Sequence, residues 1–169
     1  MLQVYTGTGK GKTTAALGAA FRAYGYGLKA VMFSFLKNDE NYGEIKANQK
    51  LELLKIYQVG RDAFVNFHNP DKIDLEMAKD GWENAKKIIA DHSADIVILD
   101  EINLVLATGM LPVQEVVNFL QQYQHKMEII TTGRGAPKKL TDIADLVTDM
   151  QEVKHYLSQG VVSRNGFDH

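Results

Sequence analysis

Short apolar runs alternate along the chain with stretches whose apolar residues recur every three to four positions. That alternation of strand and helix patterns is the mark of βαβ units and of a mostly parallel sheet. The pattern predicts strands at Leu2–Tyr5, Lys29–Leu36, Leu53–Val59, Asp95–Asp100, Glu128–Thr132 and Leu146–Asp149. It predicts helices over Thr13–Tyr24, Ile73–Asp91 and Val113–Tyr123, with a short one over Lys138–Ile143. Asp71 and Asp74 are placed to cap the second helix, and Pro112 suits the start of the third. Trp82 shares helical spacing with Met77, Ala78, Ala85, Ile88 and Ile89, and is assigned to the core. The loops Lys37–Gly43, Gly60–Pro70 and Gly133–Pro137 follow apolar runs. They should gather at the carboxyl edge of the sheet, where open α/β sheets bind ligands.

Composition narrows the picture. The chain has 169 residues, the size of one ordinary domain, and neither a repeat nor a linker divides 1–169. Its formal net charge is −2 and its 19 basic residues are scattered, so nucleic acid is not the expected partner. There is no cysteine, which excludes disulfides, thiolate zinc sites and thiol nucleophiles and suits a reducing cytoplasm. No apolar run is long enough to cross a bilayer, and strand and loop signals begin at the first residues in place of a signal peptide. The expectation is a single cytoplasmic domain that does not engage a membrane.

The chemistry begins directly after the first predicted strand, in Thr6-Gly7-Thr8-Gly9-Lys10-Gly11-Lys12-Thr13-Thr14. A glycine-rich turn between strand and helix curls its backbone N–H groups around phosphate oxygens, above the positive end of the helix. Lys12 adds charge for the terminal phosphates, and the Thr13 hydroxyl is the expected Mg²⁺ ligand. The usual pattern is G-x-x-x-x-G-K-[ST]. Counting back from Gly11-Lys12 puts Thr6 where the first glycine belongs. The segment from Gly7 to Thr14 is thus the candidate site for a nucleoside triphosphate.

Two further constellations agree. The apolar run Ile96-Val97-Ile98-Leu99 ends in Asp100-Glu101, which puts a carboxylate where a Mg²⁺ shared with Thr13 would sit. Glu101 can activate water there or help to hold the metal. Arg134, flanked by Gly133 and Gly135 after Thr131-Thr132, suits a phosphate contact because guanidinium offers a planar fork of donors. An exposed turn arginine is the bland alternative. Lys154-His155 alone is a weak signal, and the remaining histidines (His68, His92, His125, His169) lack metal-ligand spacing.

Taken in order, these segments resemble a family. Residues 6–18, Tyr42-Gly43-Glu44, Leu99-Asp100-Glu101-Ile102-Asn103, Thr132-Gly133-Arg134-Gly135-Ala136-Pro137, residues 144–150 and Lys154-His155 resemble the P-loop ATP:corrinoid (cob(I)alamin) adenosyltransferases, over nearly the whole chain. The resemblance implies a P-loop NTPase-like, RecA-type three-layer α/β fold with a mostly parallel central sheet. It implies transfer of the 5′-deoxyadenosyl group of ATP to the Co(I) of a corrinoid, with release of triphosphate. Co(I) is itself a strong nucleophile, so the protein has to align C5′ and stabilise the leaving group. Lys12, Arg134 and a Mg²⁺ on Thr13, Asp100 and Glu101 would serve that end. The resemblance further implies a homodimer, an electron donor for Co(II) reduction, and aromatic side chains beneath the corrin ring, for which Phe64 and Phe67 are the candidates.

Two positions depart from the family pattern. Asn66 stands where the corrin-facing pair Phe-x-Trp has its Trp, and Ser34 stands where relatives often have Gln. Many relatives also carry a segment before the first strand that helps to cover the site, so here that lid is expected to be absent or supplied by other parts of the dimer. Two other functions use the same loop: a phosphotransferase or ATPase that releases ADP with Glu101 as base, and a non-catalytic ATP- or corrinoid-binding module.

Overall fold

The computed structural model describes residues 1–63 and 65–168. The elements are β1 (Leu2–Thr6), α1 (Lys12–Tyr24), β2 (Ala30–Phe35), α2 (Gly43–Leu51), β3 (Lys55–Val59), α3 (Lys72–Ala90), β4 (Ile96–Asp100), α4 (Ile102–Ala107), α5 (Val113–Tyr123), β5 (Glu128–Thr132), α6 (Lys138–Ile143) and β6 (Leu146–Asp149). A single 3₁₀ turn follows at Tyr156–Gln159.

All five strand pairings are parallel, in the order β3-β2-β4-β5-β1-β6. The central strands are apolar at nearly every position because both faces are covered, and the side-chain period of two sorts them into two cores. Val31, Phe33, Phe35, Val97 and Leu99 face one core with Trp82, Ala85 and Ile89 of α3 and Val116, Val117 and Leu120 of α5. Ala30, Met32, Ile96, Ile98 and Ile130 face the other with Ala16, Ala20 and Ala23 of α1. The small alanine faces let α1 lie close to the sheet and hold the loop before it against the strand ends. The result is three layers, as the sequence indicates, with Trp82 in the core and 1 % exposed.

Every predicted strand and helix is present, with ends within two residues. Two helices were not foreseen. α2 buries none of its residues, so its sequence carries no apolar stripe. α4 is six residues of an apolar run, too short to show a period. The capping expectation is corrected: Asp71 occupies the N-cap position of α3 but makes no side-chain cap bond. Asp71 and Asp74 instead grip Arg61, with Asp74 accepting from Nε at 2.7 Å and Nη2 at 2.8 Å. A buried aspartate beside a guanidinium gains more from that pair than from a backbone N–H. The pair ties the loop after β3 to α3.

Candidate active site

The loop Gly7–Gly11 joins β1 to α1 at the carboxyl edge of the sheet, and its shape is set by the strand on its far side. Gly7 lies at φ +98°, and a Cβ there would stand 2.3 Å from Asp149 Oδ1 and 2.4 Å from the Met150 carbonyl. A Cβ at Gly9 would stand 2.7 Å from the same carbonyl, to which the Gly9 N–H donates at 2.6 Å. The two glycines therefore admit the chain leaving β6, which braces the loop from beneath. Thr6 has a role of its own: its Oγ1 accepts from the Ala136 N–H at 3.1 Å, joining this loop to the one that carries Arg134.

Asp100 ends β4 fully buried and gathers the site around it. Its Oδ1 accepts from Thr13 Oγ1 at 2.8 Å and Thr132 Oγ1 at 2.5 Å. Its Oδ2 accepts from Lys37 Nζ at 2.7 Å and Ser34 Oγ at 3.5 Å. One strand, β5, separates β4 from β1, so Thr132 at its end fills the gap between Asp100 and the P-loop. Burial pulls the Lys37 ammonium down, but the Asp100 charge and hydrogen bond outweigh it and hold Lys37 above the usual lysine value. Burial, then Asp100, pushes the Glu101 carboxyl up, against the pull of Lys37, Lys12 and Arg134. Burial lowers the Lys12 ammonium, whose Nζ donates to the Gly9 carbonyl at 2.6 Å.

Glu101 adopts φ +62°, a left-handed conformation rare for a side chain of its size. Its N–H donates to Thr132 Oγ1 at 3.0 Å, and the turn sends the chain into α4. Asn103 then donates to the Tyr5 and Gly133 carbonyls at 3.1 and 3.3 Å, locking the ends of β1 and β5.

Several cavities adjoin here, and two of them bear on the site. One, of about 350 Å³, is lined by the loop Thr8–Thr14 with Lys37, Glu101, Arg134 and residues between His155 and Asp168. The other, of about 540 Å³, has Leu36, Tyr42, Ala63, Val65, Phe67 and Leu104 in its wall. Lys37, Glu101 and Arg134 line both. The structure thus brings Thr8, Gly9, Lys10, Gly11, Lys12, Thr13, Thr14, Glu101 and Arg134 to one cavity, with Asp100 beneath it, and Phe67 to its neighbour. Gly7 shapes the loop without lining the cavity, and Phe64 lies outside the described residues.

The chain matches the family described as ATP:corrinoid adenosyltransferase BtuR/CobO/CobP over residues 1–169. It belongs to that family. The corrinoid adenosyltransferase of Escherichia coli strain K12 is 37 % identical over 167 residues, covering 98 % of this chain and 84 % of the relative. Corrinoid adenosyltransferase CobA of Salmonella typhimurium is 35 % identical over 167 residues, with the same shares of 98 % and 84 %. Among solved structures, the flagellar accessory protein FlaH from Methanocaldococcus jannaschii superposes with a TM-score of 0.58 at 13 % identity, over 88 % of this chain and 69 % of that one. At that identity the likeness speaks for the fold, a P-loop NTPase-like one.

The activity of this adenosyltransferase is ATP-dependent transfer of an adenosyl group to a corrinoid. No helix among the described residues is long and apolar enough to cross a membrane. Sequence reasoning gave no role to Lys37, Thr132 or Asp168. Lys37 and Thr132 do stand immediately beyond or at the end of predicted strands, the one signal that could have marked them. Asp168 has no such signal, since its partner Lys10 lies on the P-loop at the other end of the chain.

Among the described residues, no three His, Asp or Glu side chains are grouped to hold a metal unaided. A Mg²⁺ bound through one or two carboxylates, a hydroxyl and substrate phosphates fits this donor set. All candidate donors are hard oxygens, and Asp100 already carries a cation, the Lys37 ammonium.

Proposed function

We propose that the P-loop cavity takes ATP and the neighbouring, more apolar cavity takes the face of a reduced corrinoid. The observation that carries this reading is their common wall, because Lys37, Glu101 and Arg134 line both. A nucleophile on one side then meets the 5′-carbon on the other, with cations at the join.

In this reading Co(I) attacks C5′ of ATP, the C5′–O bond breaks, and triphosphate leaves with the electron pair. Lys12 and Arg134 stabilise that polyanion, Lys12 as a compact charge and Arg134 as a planar fork. The loop Thr8–Thr14 and the start of α1 hold the phosphates in place. Thr13, Asp100 and Glu101 would hold Mg²⁺, which offsets charge on the phosphate oxygens. Glu101 serves as a metal or nucleotide ligand rather than a base for water, since hydrolysis would waste ATP.

Phe67, packed at the edge of the larger core, and Phe64 are the residues proposed to face the corrin ring and favour removal of its lower axial ligand. An electron donor would supply Co(I), two copies of the chain would form a homodimer, and the cytoplasm is the expected compartment. Residues 1–169 would act as one domain.

The test is anaerobic incubation with Mg²⁺-ATP and cob(I)alamin, followed by the visible spectrum and by anion-exchange analysis of the phosphate products. A light-sensitive alkylcobalamin with stoichiometric triphosphate supports the mechanism. ADP with an unchanged corrinoid spectrum would replace it by hydrolysis or phosphotransfer.

A further inference from the structure

The segment that follows β6 returns to the P-loop cavity, where His155, Tyr156, Leu157, Val161 and Ser163 line it together with the loop. One carboxylate ties it to the loop. Asp168 Oδ1 accepts from Lys10 Nζ at 2.9 Å and from the Tyr156 hydroxyl. Asp168 Oδ2 accepts from the Arg164 backbone N–H at 3.0 Å and from its Nε at 3.2 Å. The Arg164 guanidinium lies over the Tyr156 ring at 4.7 Å and the Phe167 ring at 5.1 Å. The Asp168 side chain is only 9 % exposed. Its hydrogen bond from Lys10, first, and then its Arg164 contact keep the carboxyl below its ordinary value against the opposing effect of burial.

We infer that Asp168 is a positioning residue for ATP: it draws residues 155–168 onto the P-loop through Lys10 and so completes the cavity that receives the nucleotide. The inference rests on the reading of that cavity as the ATP site. Lys10 lies between Gly9 and Gly11, and the adjacent Gly9 N–H is already fixed by the Met150 carbonyl. The loop is therefore held at two neighbouring residues, Gly9 by the chain leaving β6 and Lys10 by Asp168. A loop fixed before binding loses less entropy when phosphates arrive. The four donors on Asp168 offset its charge, so the carboxylate can stand beside a triphosphate site.

The experiment measures ATP affinity by calorimetry and steady-state constants for ATP and cob(I)alamin, in wild type, Asp168→Asn, Asp168→Glu, Lys10→Met and the double variant Lys10→Met/Asp168→Asn. Loss of a charge-assisted contact predicts an ATP dissociation constant raised about tenfold in Asp168→Asn. The corrinoid KM should stay unchanged, and kcat at saturating ATP should fall by less than about twofold. Asp168→Glu should recover most of the affinity. Lys10→Met in the Asp168→Asn background should add little, because the two residues act as one unit. An unchanged or tighter ATP dissociation constant in folded Asp168→Asn overturns the inference; the tighter value would mean that Asp168 holds Lys10 away from phosphate.

If Asp168→Asn does not fold, hydrogen exchange in the wild type decides. ATP should slow exchange at residues 155–168, and no slowing there while ATP slows the P-loop overturns the inference. Wild type that binds no ATP at all defeats the ATP reading itself, and this inference with it.

Discussion

The Oγ1 of Thr6 and the backbone N–H of Ala136 are joined at 3.1 Å across 130 residues of sequence. The bond gives a reason for the departure at the first P-loop position. A glycine there would leave the Ala136 N–H without its acceptor, whereas threonine binds the arginine loop to the phosphate loop. Thr6→Val keeps the shape and removes the acceptor, and should cost about 1–3 kcal/mol of stability. It should also raise the KM for ATP by loosening Arg134, while Thr6→Ser stays near wild type. Thermal melting and ATP titration check both, and equal behaviour of valine and serine would refute the link.

Lys12→Ala should abolish measurable adenosylation and weaken ATP binding at least tenfold. In the structure its ammonium already sits inside the loop on the Gly9 carbonyl, within reach of incoming phosphate. Near-normal turnover would exclude this loop as the triphosphate site.

Removing the ammonium of Lys37 strands a fully buried carboxylate with only hydroxyl partners. Breaking a buried pair from one side costs about 3–5 kcal/mol. Lys37→Met should therefore lower Tm by about 6–20 °C for a chain of this size. Added Mg²⁺-ATP should recover more of that loss than the same ligand adds to wild type, because a divalent cation can replace the missing charge. Asp100→Asn should instead raise the Mg²⁺ concentration needed for half-maximal rate, with Mn²⁺ binding followed by paramagnetic resonance as the independent readout. Unchanged metal dependence would remove Asp100 from the metal site.

Gly7→Ala should prevent normal folding of the loop, since its Cβ would stand within 2.4 Å of two atoms at φ +98°. Relief requires moving the Asp149 side chain and the backbone of Met150, so the variant should lose ATP binding and expose the chain after β6 to protease. A soluble variant with wild-type ATP affinity would show that the loop tolerates a side chain there.

Phe67→Ala and Phe64→Ala should leave ATP binding intact. Both should slow the reaction that starts from Co(II) more than the one that starts from chemically prepared Co(I). Equal losses in the two assays would count against a role beneath the corrin ring.

Local chemistry made much of this protein legible from its sequence. The buried strands declare themselves because a strand covered on both faces is apolar throughout, as in Ile96–Asp100. The phosphate loop declares itself because only Gly7, Gly9 and Gly11 with Lys12 and Thr13 combine tight curvature, charge and hydroxyl over so few residues. The three ligand-side loops were likewise placed by the rule that they follow strand ends. α2 escaped because a helix with no buried residue leaves no apolar period.

What the tertiary structure alone decided are the pairings between distant residues. Nothing near Asp100 in sequence shows that Lys37 and Thr132 share its carboxylate, and nothing near Lys10 points to Asp168. Nor does the Asp71–Asp74 spacing reveal that both acids serve Arg61 rather than the helix end. Such contacts depend on strand order and on where loops return, both set by packing the two cores as a whole. Sequence periodicity records which way a side chain faces. It does not record which distant neighbour it meets there.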